Sequence, residues 1–230
     1  MLDLRVASIR KATPATRVLR LALGGAPFPY RAGQAACLGL DDDRELVPYS
    51  IASAPVETRA HGWLEFLVKV DPTARFGAHV TDLRRGSHVS VDGPIGSFVL
   101  PEDPGDELLF VAGGTGIAPL RAMIRQAEAN GRSRLRLLYV ARSRRELAYL
   151  PELRALARTG RLDLTLGLTG DTPSRWRHAR GRPGYDLLAP IVDGRQPRCF
   201  LCGPPGMITD LTAVLRTLGV PPDRIAAEGH

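Results

Sequence analysis

The sequence predicts a chain of two parts, an antiparallel β-barrel or sandwich followed by a doubly wound parallel α/β sheet. Three observations predict it. Short runs of alternating apolar and polar residues recur through the first hundred positions, punctuated by glycine and proline. From residue 107 onward the rhythm changes to apolar strands alternating with amphipathic helical stretches. Between the two lies Pro101-Glu102-Asp103-Pro104-Gly105-Asp106, polar and rich in breakers, which sets the expected boundary between 1–102 and 103–230.

In the first part the alternating runs are residues 4–9, 16–23, 36–40, 63–70 and 88–91. Gly24-Gly25, Ala32-Gly33 and Gly93-Pro94 separate them, and one short helix is expected over 76–84, ending near Gly86. In the second part five strands are expected, at 107–112, 135–141, 162–168, 198–202 and 224–228. Helices are expected at 119–129, 145–157, 185–192 and 207–218. Strand and helix in alternation make a parallel sheet, and such sheets bind ligands outside the carboxyl ends of their strands. Gly113-Gly114, Arg142, Thr169-Gly170, Cys202-Gly203 and Glu228-Gly229 all fall at such ends.

The stretch Gly113-Gly114-Thr115-Gly116-Ile117-Ala118-Pro119 is the most informative. It follows an apolar strand, 108–112, and opens a helix. Glycines there let a phosphate approach the backbone, and a helix N-terminus offers free N–H groups and a partial positive charge. Pro119 fits the first helical turn. A second stretch, Cys202-Gly203-Pro204-Pro205-Gly206-Met207, ends another strand and reinforces the anion-site reading over a bare tight turn.

Composition narrows the class. An apolar fraction of 44% is that of a globular protein. No apolar run is long enough to span a bilayer, and the first residues lack a basic-then-apolar leader pattern, so a cytoplasmic location is expected. The formal charge of +7 divides as +2 over residues 1–100 (12 basic, 10 acidic) and +5 over 101–230 (19 and 14). Nearly all of the basic residues are arginine, suited to phosphate and carboxylate. An anionic cofactor or an acidic protein partner fits, whereas no aromatic-plus-basic nucleic-acid motif is present. The cysteines are Cys37, Cys199 and Cys202. The last two form a C-x-x-C inside a strand, where their side chains point to opposite faces, so neither a redox disulfide nor a metal site is expected.

Taken together, Pro48-Tyr49-Ser50-Ile51-Ala52-Ser53, Ala32-Gly33-Gln34, Gly93-Pro94-Ile95-Gly96-Ser97-Phe98 and the two glycine stretches come in an order that resembles the ferredoxin–NADP⁺ reductase family over essentially the whole chain. The resemblance implies a flavin-binding barrel, a nicotinamide-binding sheet, and hydride transfer from NAD(P)H to a flavin, FAD rather than FMN. It implies that Tyr49, Ser50, Ile51, Val68, Phe76, Gly77 and Ala78 hold the flavin, with the Ser50 hydroxyl at flavin N5. Gly113, Gly114, Thr115 and Gly116 would cradle the dinucleotide pyrophosphate, with Gly203, Pro204 and Met207 on its other side and Arg142 and Ser143 at the adenosine end. Cys202 would shape the nicotinamide position and Glu228 would handle the accompanying proton. With no fused iron–sulfur domain in the sequence, a separate ferredoxin, flavodoxin or oxygenase component is the implied acceptor.

Three positions depart from the family pattern. Val47 stands where an arginine usually meets the flavin phosphate, a contact left to Arg44 or Arg75. Gly77 replaces a phosphate-binding Ser or Thr, leaving backbone N–H groups. His230, the last residue, stands where an aromatic ring usually stacks on the flavin. Asp171 stands where NADP-specific members place arginine, while Arg142, Arg144, Arg145 and Arg175 favour a 2′-phosphate, so NADH and NADPH both remain. Val47 and Gly77 also keep open a reductase that uses flavin as a diffusible substrate. A third alternative is an interaction subunit that has lost the flavin altogether.

Overall fold

The computed structural model describes residues 1–40, 46–103, 107–132, 134–170 and 173–229. By its internal contacts the chain forms two compact units, residues 1–100 with 121–129, and residues 101–120 with 130–230.

Among the described residues the first unit holds six antiparallel strands: β1 (Leu2–Thr13), β2 (Thr16–Ala22), β3 (Ala35–Gly39), β4 (Val47–Ser50), β5 (Trp63–Lys69) and β6 (His88–Ile95). Their order is β4-β3-β6-β1-β2-β5. An Ile51–Phe66 bridge joins the two outer strands, and the Ala52 N–H donates to the Glu65 carbonyl at 2.7 Å. The sheet therefore closes on itself, which removes its exposed edges and selects the barrel over the sandwich. Leu4, Val6, Leu19, Leu21, Leu38, Leu64, Phe66, Val89 and Val91 fill its interior. They come from alternate positions of each strand, as the period of two dictates.

Two short helices interrupt the barrel. Helix α1 (Pro55–His61) is absent from the sequence expectations. It buries only Thr58 and so has no apolar stripe to read. Its signals were Pro55 in the first turn, Glu57 accepting the Ala54 N–H, and Gly62 at φ 71° beyond its end. Helix α2 (Arg75–His79) is shorter than the expected 76–84.

Among the described residues the second unit is a parallel sheet of six strands rather than five: β7 (Glu107–Gly113), β8 (Arg134–Ala141), β9 (Asp163–Leu168), β10 (Ala179–Arg180), β11 (Arg198–Gly203) and β12 (Ile225–Gly229). The additional strand, β10, pairs through only two residues, Ala179 with Gly167 and Arg180 with Leu168, too few to show a periodicity. The order is β10-β9-β8-β7-β11-β12. A 3₁₀ turn, Gly114–Gly116, leads from β7 into α3 (Ile117–Ala129). The remaining helices are α4 (Leu150–Arg158), α5 (Tyr185–Val192) and α6 (Pro205–Thr217). Helix α4 starts later than expected because a 3₁₀ turn at Arg144–Glu146 and Tyr149 at φ 57° precede it. One face of the sheet packs Leu109, Val111, Leu138, Val140, Cys199 and Leu201 against Leu188 and Val192 of α5 and Leu211 and Leu215 of α6. On the opposite face Phe110 and Phe200 stack at 5.6 Å. No described helix is long and apolar enough to cross a membrane.

Candidate functional site

In the sheet, β7 lies between β8 and β11, so the chain leaves it in opposite directions on its two sides. That is the switch point where a doubly wound sheet opens a crevice. The glycine turn occupies it. A methyl on Gly116 would drive into the Cys202 carbonyl, and one on Gly113 would stand 2.8 Å from Met207 Cε and Pro204 Cδ. One on Gly203 would lie 3.0 Å from Gly113 Cα. Glycine is required at all three because two strand ends and the start of α6 share one small space. Gly114 differs: its φ is +57° and nothing lies within 4 Å of a Cβ there, so its unoccupied side faces open space. A cavity of about 350 Å³ begins at Gly113 and Gly114 and is lined further by Arg142, Met207 and Pro204.

Tyr139, which the sequence reading passed over, holds this turn. Its hydroxyl donates to the Gly114 carbonyl at 3.1 Å and accepts the Ala148 N–H at 3.0 Å. Burial pushes the phenol well above the ordinary tyrosine range, so it stays a neutral donor. Arg182, equally unflagged, lines the cavity with Arg142, as do Glu146 and Asp210. Ser143 turns its hydroxyl onto Glu146 at 3.0 Å.

Cys202 and Glu228 are brought side by side, in register on neighbouring parallel strands. Burial first, and the Glu228 charge second, push the Cys202 thiol up to about 12. It is therefore a neutral, compact side chain at working pH. Burial also raises the half-buried Glu228 carboxyl above its ordinary range. Cys37, Cys199 and Cys202 are not joined in disulfides, and Cys199 lies in the core between sheet and helices.

In the barrel, Tyr49 and Ser50 end β4, both half-buried. The Tyr49 ring meets Phe76 of α2 at 5.6 Å with a 60° tilt. Burial raises its phenol's pKa, Asp71 adds to this, and a hydrogen bond from the Gly77 N–H works against it. Strand β4 and the α2 turn thus form one surface. Ile51, Val68 and Phe76 are fully buried in the barrel core and lie beneath this surface rather than on it, while Ala78 is partly exposed. Gly77 is explained by packing, since a Cβ would stand 2.7 Å from the Lys69 carbonyl. Arg75 opens α2. Arg44, Asp171 and His230 lie outside the described residues.

The donor sets fit the two groups that the resemblance implies. Open glycine backbone, a helix start and two arginines suit a dinucleotide, and a ring face with a neighbouring hydroxyl suits a flavin.

Such a pairing of a barrel with a glycine-lined sheet defines a class of two-domain oxidoreductases, and comparison with known proteins agrees. Residues 3–100 match the oxidoreductase FAD-binding domain, and residues 110–213 match the oxidoreductase NAD-binding domain. The chain is 31% identical over 252 residues to ferredoxin–NADP reductase B of Sorangium cellulosum, covering 99% of this chain and 97% of that protein. It is 30% identical over 238 residues to the reductase component of propane 2-monooxygenase from Rhodococcus jostii, covering 96% of this chain and 61% of the length of that relative. Among solved structures, the Amycolatopsis cytochrome P450 reductase GcoB matches with a TM-score of 0.86 and 29% identity, over 99% of this chain and 69% of that one. The chain belongs to the ferredoxin–NADP⁺ reductase family, with FAD and a nicotinamide dinucleotide as the cofactors of its two domains.

Proposed function

We propose that residues 1–102 hold FAD, that residues 103–230 hold NAD(P)H, and that the chain passes a hydride from nucleotide to flavin and electrons on to a separate acceptor. The observation that carries this reading is the convergence of the open Gly114 turn, Cys202 and Glu228 at the carboxyl ends of adjacent strands. A bound flavin would supply the hydride-accepting and electron-passing chemistry, and Tyr49 and Ser50 would be the barrel residues that meet it.

The chain's own residues divide the remaining work. Gly113, Gly114, Thr115 and Gly116 present backbone to the pyrophosphate, with Tyr139 fixing the Gly114 carbonyl. Gly203, Pro204 and Met207 close its other side, and Arg142, Ser143 and Arg182 meet the adenosine end. Asp171 would accept a ribose hydroxyl. The neutral Cys202 thiol packs against the nicotinamide rather than attacking it. Glu228 holds a proton to higher pH than a solvated carboxylate, which suits it to supply the proton that accompanies reduction. Tyr49 offers the flavin its ring and Ser50 its hydroxyl. Ile51, Val68, Phe76 and Gly77 support that surface from beneath, Ala78 adds its small exposed surface, and His230 would add a stacking ring.

The acceptor is an acidic ferredoxin or flavodoxin, or an oxygenase component. A charge of +7 supports this, through long-range attraction that raises the encounter rate and weakens with salt. A cytoplasmic location is part of this proposal. A second reading, with flavin as a diffusible substrate, is favoured by Gly77, which has neither a side chain for the flavin phosphate nor room for one. The visible spectrum of the purified protein, followed by chromatography of what heat releases, separates the two. Bound FAD supports the first reading. A colourless protein that oxidises NAD(P)H only with added flavin supports the second. A protein inert in both conditions overturns both.

A further inference from the structure

Ser50 leads into a segment whose backbone is hydrogen-bonded at successive residues, first by main-chain carbonyls and then by polar and charged side chains. The Ile51 N–H donates to the Gln34 carbonyl at 2.9 Å, and the Ala52 N–H donates to the Glu65 carbonyl at 2.7 Å. Arg121 Nη1 donates to the Ala52 carbonyl at 2.7 Å. The Tyr30 hydroxyl donates to the Ser53 carbonyl at 2.9 Å, and the Ala54 N–H donates to Glu57 Oε2 at 2.9 Å.

The centre of this arrangement is Arg121, from the second turn of α3. It is 5% exposed. Its two amino groups grip both Glu57 oxygens, at 2.9 and 3.1 Å. Arg125 adds a 3.1 Å contact to the same carboxylate. Beyond Arg121 lies Glu65, fully buried. Its Oε2 accepts from Arg20 at 2.7 Å, while its Oε1, 3.8 Å from Arg121 Nη1, accepts no hydrogen bond.

Stability alone gives little reason for this construction. Burying such charges costs desolvation that their attraction only roughly offsets, and apolar side chains of similar volume would serve as well or better. What apolar residues cannot supply is direction. A bidentate arginine has a fixed orientation, and here that orientation fixes one carbonyl two residues beyond Ser50.

We propose that Arg121, locked by Glu57 and Glu65, is a positioning residue that sets the direction of the Ser50 hydroxyl. The inference rests on the reading that this hydroxyl meets the flavin. Arg121 itself reaches the Ala52 carbonyl and touches no reacting atom in that reading.

The test is a double-mutant cycle on FAD-loaded protein, with flavin reduction followed after rapid anaerobic mixing with NAD(P)H. Arg121→Lys keeps the charge and loses the fork. It should lower the limiting reduction rate by roughly tenfold, with the apparent nucleotide Kd unchanged. Ser50→Ala should lower it as well, and adding Arg121→Lys to Ser50→Ala should lower it no further. In the flavin-free protein, hydrogen exchange at the Ala52 and Ala54 amides should speed up in Arg121→Lys, with β1 and β2 unchanged. Should Arg121→Lys fail to fold, Glu57→Gln, which leaves every cation in place, carries the same test. Full additivity in the cycle, or a reduction rate untouched by Arg121→Lys or its substitute Glu57→Gln while Ser50→Ala slows it, overturns the inference and leaves the site reading standing. An unaffected Ser50→Ala overturns the site reading and this inference with it.

Discussion

The two units hold their candidate sites by opposite means. The sheet removes side chains: Gly113, Gly116 and Gly203 let three backbone segments meet where no methyl fits. The barrel inserts side chains: Arg121, Glu57 and Tyr30 reach across to hold the backbone beyond Ser50, with the Glu65 carboxylate beside Arg121. The difference follows from secondary structure. A parallel sheet with a helix start already offers aligned backbone N–H groups at its carboxyl edge, and it needs only access. A barrel rim offers no such array, so the direction of a single hydroxyl has to be set by long polar side chains.

The comparison can be broken from either side. In the barrel, stability should collapse when a charge is removed. Arg121→Met leaves two buried carboxylates with one arginine each, Arg125 for Glu57 and Arg20 for Glu65, and should cost about 3 kcal/mol or somewhat more in denaturant unfolding, the largest effect expected here. In the sheet, the damage should come from an added methyl. Gly116→Ala puts a Cβ against the Cys202 carbonyl and 2.8 Å from the Gly203 nitrogen, both backbone atoms that cannot swing aside. A loss of about 3 kcal/mol is expected, with nucleotide binding abolished in a titration. Tyr139→Phe strands the Ala148 N–H and removes the donor to Gly114, and should cost about 1–3 kcal/mol while weakening nucleotide binding.

The smallest effect separates the units by pH. Burial pushes the Glu57 carboxyl up, but Arg121, the Ala54 N–H and Arg125 outweigh it and hold the carboxyl below its ordinary range. Its contribution to stability is therefore complete above the unfolded carboxylate pKa of about 4.3 and is lost as pH falls through its lower folded value. Glu228 is raised, so the sign reverses: its contribution is complete below the unfolded pKa and is lost as pH rises through the folded value. Unfolding profiles of Glu57→Gln and Glu228→Gln against pH should differ from the parent in these opposite windows. Coincident profiles would contradict the assignment.

This contrast also explains what the sequence showed. The glycine turn was legible because its strand, glycines and helix are contiguous, and the pairing of Cys202 with Glu228 was reachable because both sit at strand ends. The barrel network was not legible. Arg20, Glu57, Glu65 and Arg121 are scattered along the chain, and each looks like a solvated residue in its own element. Glu65 falls at an apparently outward position of an alternating strand, yet it is fully buried because that face is covered. Tyr139 read as one more residue of an apolar run. Strand β10 escaped because two residues carry no period, and α1 because it has no apolar face. Gly77 departs from the family pattern for a reason that only packing reveals, the nearby Lys69 carbonyl.

The central claim is that nucleotide bound at the sheet reduces flavin bound at the barrel. The most direct test is anaerobic mixing of FAD-loaded protein with NADH or NADPH while the visible flavin absorbance is followed. The account predicts bleaching with at least one nucleotide and slower bleaching in Ser50→Ala. Flavin that stays oxidised with both nucleotides would contradict it.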